Sequence, residues 1–173
     1  MDLMTTIAIR YFVVLVAVYG GVTTVTARQT ESVSLEPQRT RELTARVFGG
    51  DASWQWVAAI DNRPGPIVKS ERRVLVGSWR RGSAGAADDV LVSIYVVDTL
   101  TDAEHWLALH AKGAKDWAIK PYAVGDGGWR AEHPTGQIQI SVQRRLYVIT
   151  VSAKDAGVVE RCARQIVLYL DAI

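Results

Sequence analysis

The residues best suited to acid–base chemistry lie in one glycine-rich segment, residues 124–136. This segment contains Asp126, Glu132 and His133. Carboxylates and an imidazole can exchange protons near neutral pH, so three such side chains lining one pocket would suit a hydrolase. The alternative is an ordinary hairpin entry in which Asp126 bonds its own backbone. The spacing of the residues leaves both possibilities open.

Other signatures of catalysis or cofactor binding are missing from the sequence. His105 and His110 are five positions apart and would diverge around a helix. Ser83 lacks the glycine two positions before it that a nucleophile elbow requires, because Arg81 stands there. Cys162 falls within an apolar helical stripe, where a thiol behaves as a small hydrophobic side chain. We therefore expect no catalytic residue, no metal and no cofactor.

Aromatic and cationic side chains form the candidate binding surface. The chain has six tryptophans. Tryptophan and arginine are both enriched where proteins bind partners, and arginine can hold carboxylate or phosphate groups. The arginine-flanked stretch 69–81 and the loop region around 117–136 combine these residue types. The predicted contact residues are Arg73, Trp79, Arg81, Trp117, Asp126 and Trp129.

The same residues also fit structural roles. The tryptophans could fill a core that is short of phenylalanine, since only two Phe are present. Trp79 and Trp106 are the strongest candidates for such burial. The arginines could instead protect an edge strand against aggregation through their charge.

Hydrophobic periodicity predicts an α+β fold. Alternating stretches, and one nearly unbroken apolar run at 90–97, predict strands, and the 90–97 strand should be central because both of its faces are apolar. Helices are expected over about 101–115 and after Asp155. The prediction is a single domain of order βββαβββα, with a five- or six-stranded, mostly antiparallel sheet and both helices packed on one face.

A short echo suggests an internal duplication. Gly50-Asp51-x-x-Trp54 recurs as Gly125-Asp126-x-x-Trp129. This would make the chain two related βββα halves. The region from Val124 through Leu146-Tyr147-Val148-Ile149 to the last helix also resembles small exported bacterial domains of unknown function, a resemblance that implies no catalytic residue.

The first 27 residues have the three parts of a secretory signal. Arg10 precedes an apolar run from Tyr11 to Val18, and Val25-Thr26-Ala27 offers a small-residue cleavage site. An uncleaved membrane anchor is the alternative. We predict a signal peptide over 1–27, a flexible tether over 28–42 and one α+β domain over 43–173, with no stable membrane span after cleavage.

The overall composition limits the function classes. Twenty basic residues against 18 acidic ones give no strong charge for binding nucleic acid, and one cysteine excludes a disulfide scaffold. The sequence favours an exported, periplasmic or secreted binding domain whose partner is an envelope protein or an anionic envelope component. An exported hydrolase using segment 124–136 is the first alternative, and a carrier of an apolar ligand between sheet and helices is the second.

Overall fold

A computed structural model describes residues 37–59, 65–82 and 89–173. The predicted signal peptide, residues 28–36 of the predicted tether, and Ser83 lie outside the described residues. Within these residues the chain forms three helices and seven strands, in the order α1 (Pro37–Phe48), β1 (Trp54–Ala58), β2 (Arg72–Arg81), β3 (Val90–Val96), α2 (Leu100–Gly113), β4 (Ala118–Pro121), β5 (Gly127–Glu132), β6 (Ile138–Arg144), β7 (Tyr147–Ala153) and α3 (Ala156–Asp171).

The strands form one antiparallel sheet of order β1-β2-β3-β7-β6-β5-β4. The predicted α+β class is therefore confirmed. β3, the strand of the apolar run, lies between β2 and β7, so its predicted central position is confirmed as well. Within the described part of the chain, β1 and β4 are the two edges of the sheet.

Helices cover both faces of the sheet. Ile94 and Ile149 face each other across β3 and β7 and belong to the main core beneath α1 and α3. The next pair along the same strands, Tyr95 and Val148, packs against Trp106 of α2. Since neighbouring residues of a strand point to opposite faces, α2 lies on the face opposite α1 and α3. The expected arrangement, with both helices on one face, is thus corrected to a three-layer one.

Two elements of the described chain were not predicted, α1 and β4. Helix α1 includes residues 37–42, which we had assigned to the tether. The buried apolar side chains that the structure describes in this helix are those of Leu43 and Val47. All four residues of β4 are exposed, so it lacks the alternation that predicts a strand. These additions account for seven strands rather than five or six, and three helices rather than two.

The helix placement argues against a folded internal duplication. β3 and β7 are antiparallel neighbours, so a twofold axis relating the two halves would run perpendicular to the sheet. Rotation about such an axis leaves each face of the sheet in place. The corresponding helices of the two halves, α2 and α3, would then lie on the same face. They lie on opposite faces. The Gly-Asp echo marks two turns in which Gly50 and Gly125 have positive φ. Glycine is favoured at such positions in any protein, so the echo needs no common origin.

Side-chain caps fix where two of the helices begin. Asp155 caps α3 as predicted, accepting a hydrogen bond from the N–H of Val158 at 3.0 Å. Helix α2 begins earlier than the predicted Thr101, because Thr99 is its cap and accepts from the N–H of Asp102. None of the described helices has the length and apolar composition needed to cross a membrane.

Candidate functional site

The predicted contact residues do not form one surface. Arg73, Trp79 and Arg81 belong to β2, whereas Trp129 belongs to β5. Strands β3, β7 and β6 lie between β2 and β5, which separates the two groups by roughly 19 Å at about 4.8 Å per strand step. The structure therefore does not bring together the arginine strand and the 117–136 region, which we had predicted to form one site.

Trp79 is a core residue. It has 0% exposure, and its indole N–H donates to Thr44 Oγ1 at 2.8 Å. Phe48 and Trp56 contact its ring edge to face, each with ring centroids 5.3 Å apart. Because its large apolar ring is buried in the core, Trp79 cannot contact a partner directly.

Trp129 is also buried, and Trp117 is half-buried beside it. The Trp129 indole N–H donates to the carbonyl of Leu107 at 3.3 Å, with 6% of the side chain exposed. Trp117 packs against this small cluster and against the His133 ring, at a centroid distance of 4.9 Å. Both tryptophans help to seal α2 against β5, which leaves little indole surface for a ligand.

Asp126, Glu132 and His133 do not converge. Asp126 accepts hydrogen bonds from the backbone N–H of Arg145 and from Arg144 Nη1, both at 2.5 Å. The Arg145 N–H and, less strongly, the Arg144 guanidinium hold the pKa of Asp126 below its usual range. Asp126 precedes strand β5 and Glu132 is its last residue, so the two lie about 20 Å apart along the extended chain. The geometry does not assemble the predicted hydrolase site.

The other two members of that group have local partners. Glu132 is bonded by Arg130, and this bond lowers the pKa of the Glu132 carboxyl. His133 Nδ1 lies 2.7 Å from Thr135 Oγ1, within a turn closed by the Gly136 N–H to the His133 carbonyl. These contacts are local to the turn between β5 and β6. Asp126 differs from the alternative given for it, because its carboxylate bonds Arg144 and Arg145 and not its own backbone.

Three of the four arginines of β2 lie beside an acidic side chain. Arg72 pairs with Asp98 at 2.8 Å and Arg80 with Asp89 at 2.7 Å. Arg81 lies 3.8 Å from Asp51. β2 pairs with β1 on one side and β3 on the other, so it is not the edge strand that charge would have to protect. Arg73 is the exception, since its Nη2 donates to a backbone carbonyl, that of Ala59, at 2.7 Å.

A serine–histidine contact occurs away from these residues but is closed to substrates. Ser141 Oγ lies 3.3 Å from His110 Nδ1 and 3.1 Å from Thr150 Oγ1, and Ser141 has 0% exposure. The His110 ring is held between Trp106 and Trp129. Over the described residues, no group of three or more His, Cys, Asp or Glu side chains could hold a metal ion.

A groove lies between helix α1 and the β1 edge of the sheet, with a cavity volume of about 770 Å³. We call it the α1–β1 groove. This volume is within the range of ligand pockets in proteins. One wall is formed by α1, the other by β1, and the floor by the middle of β2. Its lining includes Thr40, Arg41, Thr44, Ala45, Trp54, Trp56, Ala58, Arg73, Val74 and Leu75.

A glycine places the tryptophan that lines the groove. Cζ2 of Trp56 lies 2.4 Å from where a Cβ would stand on Gly77, its neighbour on β2. Only glycine allows the indole to lie flat on the sheet at that point. Trp54 is fixed by stacking on Phe48 of α1, with ring centroids 4.1 Å apart and planes 10° apart. The groove thus has rigid aromatic walls.

Charged side chains stand at the rim of the groove. Arg41 and Arg73 are the cations and Asp51 is the anion. Asp51 is engaged by Ser53, whose hydrogen bonds lower the pKa of the Asp51 carboxyl, and lies near Arg81. The hydroxyl of Thr44 is engaged too, because it donates to the Thr40 carbonyl and accepts from Trp79. The groove therefore combines an apolar interior with a cationic rim.

Sequence reasoning identified Arg73 alone among the groove residues. It overlooked the groove because residues 37–42 of α1 were assigned to the tether and no helix was predicted over 43–48. The signal that could have revealed it was the Leu43–Val47 spacing of four with Phe48 beside it, which is a helical stripe. Comparisons of the chain with protein-family models, with curated proteins and with solved structures find no significant match.

Proposed function

We propose that this protein is a non-catalytic binding domain that acts after export, and that the α1–β1 groove is its binding site. The observation that carries the proposal is the groove itself, which combines a volume of about 770 Å³ with aromatic walls and two rim arginines. A mostly apolar pocket with a few placed polar groups is the usual form of a binding site.

The chemistry of the groove favours an elongated ligand with an apolar body and an anionic group. Trp54 and Trp56 offer flat apolar surface, and Arg41 and Arg73 offer positive charge at the rim. Guanidinium groups bind carboxylate and phosphate well. This ligand chemistry joins the predicted anionic envelope partner with the apolar ligand that we considered for the space between sheet and helix.

The N-terminal pattern favours action outside the cytoplasm. The Tyr11–Val18 run and the Val25-Thr26-Ala27 exit are typical of a secretory signal. We propose that the domain reaches the periplasm or the medium and meets an envelope protein or an anionic envelope component there.

Blocking the groove tests the proposal. Ala45 is an exposed residue of α1 that lines the groove, and Ala45→Trp should fill it. Ala108→Trp makes the same change at an exposed position of α2, on the opposite face of the sheet, and is the matched control. The probes are anilinonaphthalene sulfonate and decanoate, both of which are anions with apolar bodies. Binding of the first is measured by dye fluorescence and binding of the second by tryptophan fluorescence.

We expect wild type and Ala108→Trp to bind both probes, and Ala45→Trp to bind about tenfold more weakly. Urea melts of all three proteins establish that they are folded, since partly unfolded states also bind the dye. Failure of wild type to bind either probe, or equal binding by Ala45→Trp, would contradict the assignment of the groove as the binding site.

A further inference from the structure

The two edges of the sheet differ in their protection against strand pairing. β4 carries Lys120 and Pro121. Charge and proline are the usual devices that keep an edge strand from pairing with another chain. β1 reads Trp-Gln-Trp-Val-Ala, with neither charge nor proline and with residues that favour strands. Within the residues that the structure describes, the β1 edge therefore lacks the protection that the β4 edge has.

The ladder fixes which backbone groups of β1 face outward. The Ser53 carbonyl accepts from the Gly82 N–H, and the Ala59 N–H donates to the Val76 carbonyl, both at 3.0 Å. Because the N–H and C=O of successive residues alternate in direction, those of Trp56 and Ala58 point away from β2. On β4 the Tyr122 N–H bonds Gly128, so Pro121 occupies an outward position and removes a donor there.

The β1 residues whose backbone groups point outward also lie at the groove. Trp56 and Ala58 both belong to its lining. A strand added beside β1 would direct every second side chain to the α1 face, next to the groove. Main-chain bonds would then supply affinity, and the groove would select alternate side chains.

We infer that the β1 edge binds an extended peptide as an additional strand, with alternate apolar side chains in the α1–β1 groove and an acidic group held by Arg41 or Arg73. This inference rests on the proposed function, because it names the ligand of the same groove. The acidic group follows from charge. Arg41 and Arg73 are the cations of the groove lining, and the Nη2 of Arg73 donates to a neutral acceptor, the Ala59 carbonyl. The Asp51 carboxylate is engaged by Ser53 and lies near Arg81.

A partner peptide fits this edge better than a second copy of the chain. Antiparallel pairing of β1 with its own copy would face two identical grooves toward each other. Arg41 and Arg73 of the two copies would then approach without an added anion, and like charges across paired strands are destabilising. The same cations favour a peptide that brings its own carboxylate.

The experiment uses the full chain and an array of peptides of about eight residues, which is within the usual range of strand lengths. In the array Val, Leu or Phe alternates with Ser or Thr, and each peptide ends in Glu, Gln or Lys. The best binder is then made with backbone N-methyl groups at every second residue, in each of the two phases. Binding is measured by tryptophan fluorescence.

Protein variants separate the edge from the groove. Ala58→Pro removes an outward N–H of β1, and Ile119→Pro does the same at the outward position of β4. Arg41→Glu reverses a rim charge, and Arg39→Glu reverses an exposed arginine of the same helix that does not line the groove. The N-methyl peptides require no protein variant, so the test stands even where Ala58→Pro unfolds.

We expect Glu-ended peptides to bind about tenfold more tightly than Lys-ended ones, and one N-methyl phase, but not the other, to abolish binding. Ala58→Pro and Arg41→Glu should weaken binding, while Ile119→Pro and Arg39→Glu should not. If both N-methyl phases bind like the parent, no strand forms and the inference fails, although the groove keeps its proposed function. If the small anionic probes bind and no peptide does, the inference fails in the same way. If wild type self-associates and Ala58→Pro is monomeric, a second copy occupies the edge instead.

Discussion

The neighbouring residues Trp79 and Trp56 have different roles because their indole rings are buried to different degrees. Trp79 buries its ring completely and finds Thr44 for its N–H. Trp56 packs edge to face on Trp79 yet keeps one side toward the α1–β1 groove. The buried Trp79 ring supports the half-buried Trp56 ring, so Trp79 acts on the site only by holding Trp56 in place.

Cys162 should be chemically silent in the native protein. Its side chain has 0% exposure, and burial raises the pKa of the thiol to about 12. Because the thiolate is the reactive form, we expect a thiol reagent at pH 8 to label the native protein slowly and the urea-unfolded protein fast. Cys162→Ala should cost on the order of 1 kcal/mol of unfolding free energy, as small cavities do. Rapid labelling of the folded chain would contradict this placement.

Asp126 should make stability depend on pH. Hydrogen bonds from the Arg145 N–H and Arg144 lower its pKa in the folded state, so the ionised carboxylate stabilises the fold. That contribution is complete above the pKa of the unfolded chain, about 3.9, and is lost as the pH falls through the lower folded value. Asp126→Asn should unfold more easily than wild type by about 1 kcal/mol or less at pH 7, a value discounted for exposure.

Urea unfolding of wild type and Asp126→Asn across acid pH measures this effect. The difference between the two proteins should shrink as the pH drops below about 4. Curves that remain parallel down to pH 3 would show that Asp126 does not have the folded-state contacts described.

Among the elements, the β1–β2 pair determines the shape of the groove. Gly77 of β2 stands opposite Ala58 of β1, and the Trp56 ring occupies the space where a side chain would be. A side chain at this position would displace the indole or the backbone of Val57, whose carbonyl oxygen is also 2.4 Å from the Cβ position. The groove therefore depends on a residue that does not line it.

Gly77→Ala should cost about 2 kcal/mol or more of unfolding free energy, in the range of overpacked cores, and should shift the tryptophan emission. Gly113→Ala is the matched control. A Cβ there meets nothing within 4 Å, and Gly113 ends α2, where alanine favours the helix. We expect that control to be neutral or slightly stabilising in urea melts. A Gly77→Ala protein as stable as wild type would mean that Trp56 does not lie on the strand.

At the scale of the whole molecule, the sheet is covered unevenly. Of the three described helices, α1 and α3 contact each other on one face and α2 lies on the other. The groove opens where α1 reaches the β1 edge, at the margin of the larger core. A binding site at the margin can take up a ligand without disturbing the core packing of Ile94, Ile149 and Ile166.

The mature protein should begin at Arg28. This follows from the apolar run after Arg10 and the small-residue exit at Ala27. Amino-terminal sequencing of protein recovered from the periplasm or the medium would check it, with a version carrying Ala27→Pro as the uncleaved control. Recovery of the wild-type chain in membranes with Met1 intact would favour the alternative of an anchor.

The sequence by itself determined the elements whose pattern is strong and local. Alternation at Ile138, Ile140 and Val142 predicted β6, and the apolar run at 90–97 predicted a central strand. The stripe from Val159 to Leu170 predicted α3 and the burial of Cys162. These residues carry period-two or helical spacing in their own side chains, so no knowledge of their neighbours was needed.

The tertiary structure alone decided the faces, the edges and the site. The amphipathic stripes of α2 and α3 say that each must bury one side, but the stripe of a helix does not say which face of a sheet it covers. Helix α1 has only a short apolar stripe, Leu43 and Val47 with Phe48 beside them, and it becomes a groove wall only because β1 and β2 lie beneath it. The groove is assembled from residues up to 36 positions apart, Thr40 to Val76. Local patterns carry no information on such separations, because chain topology and side-chain packing bring those residues together.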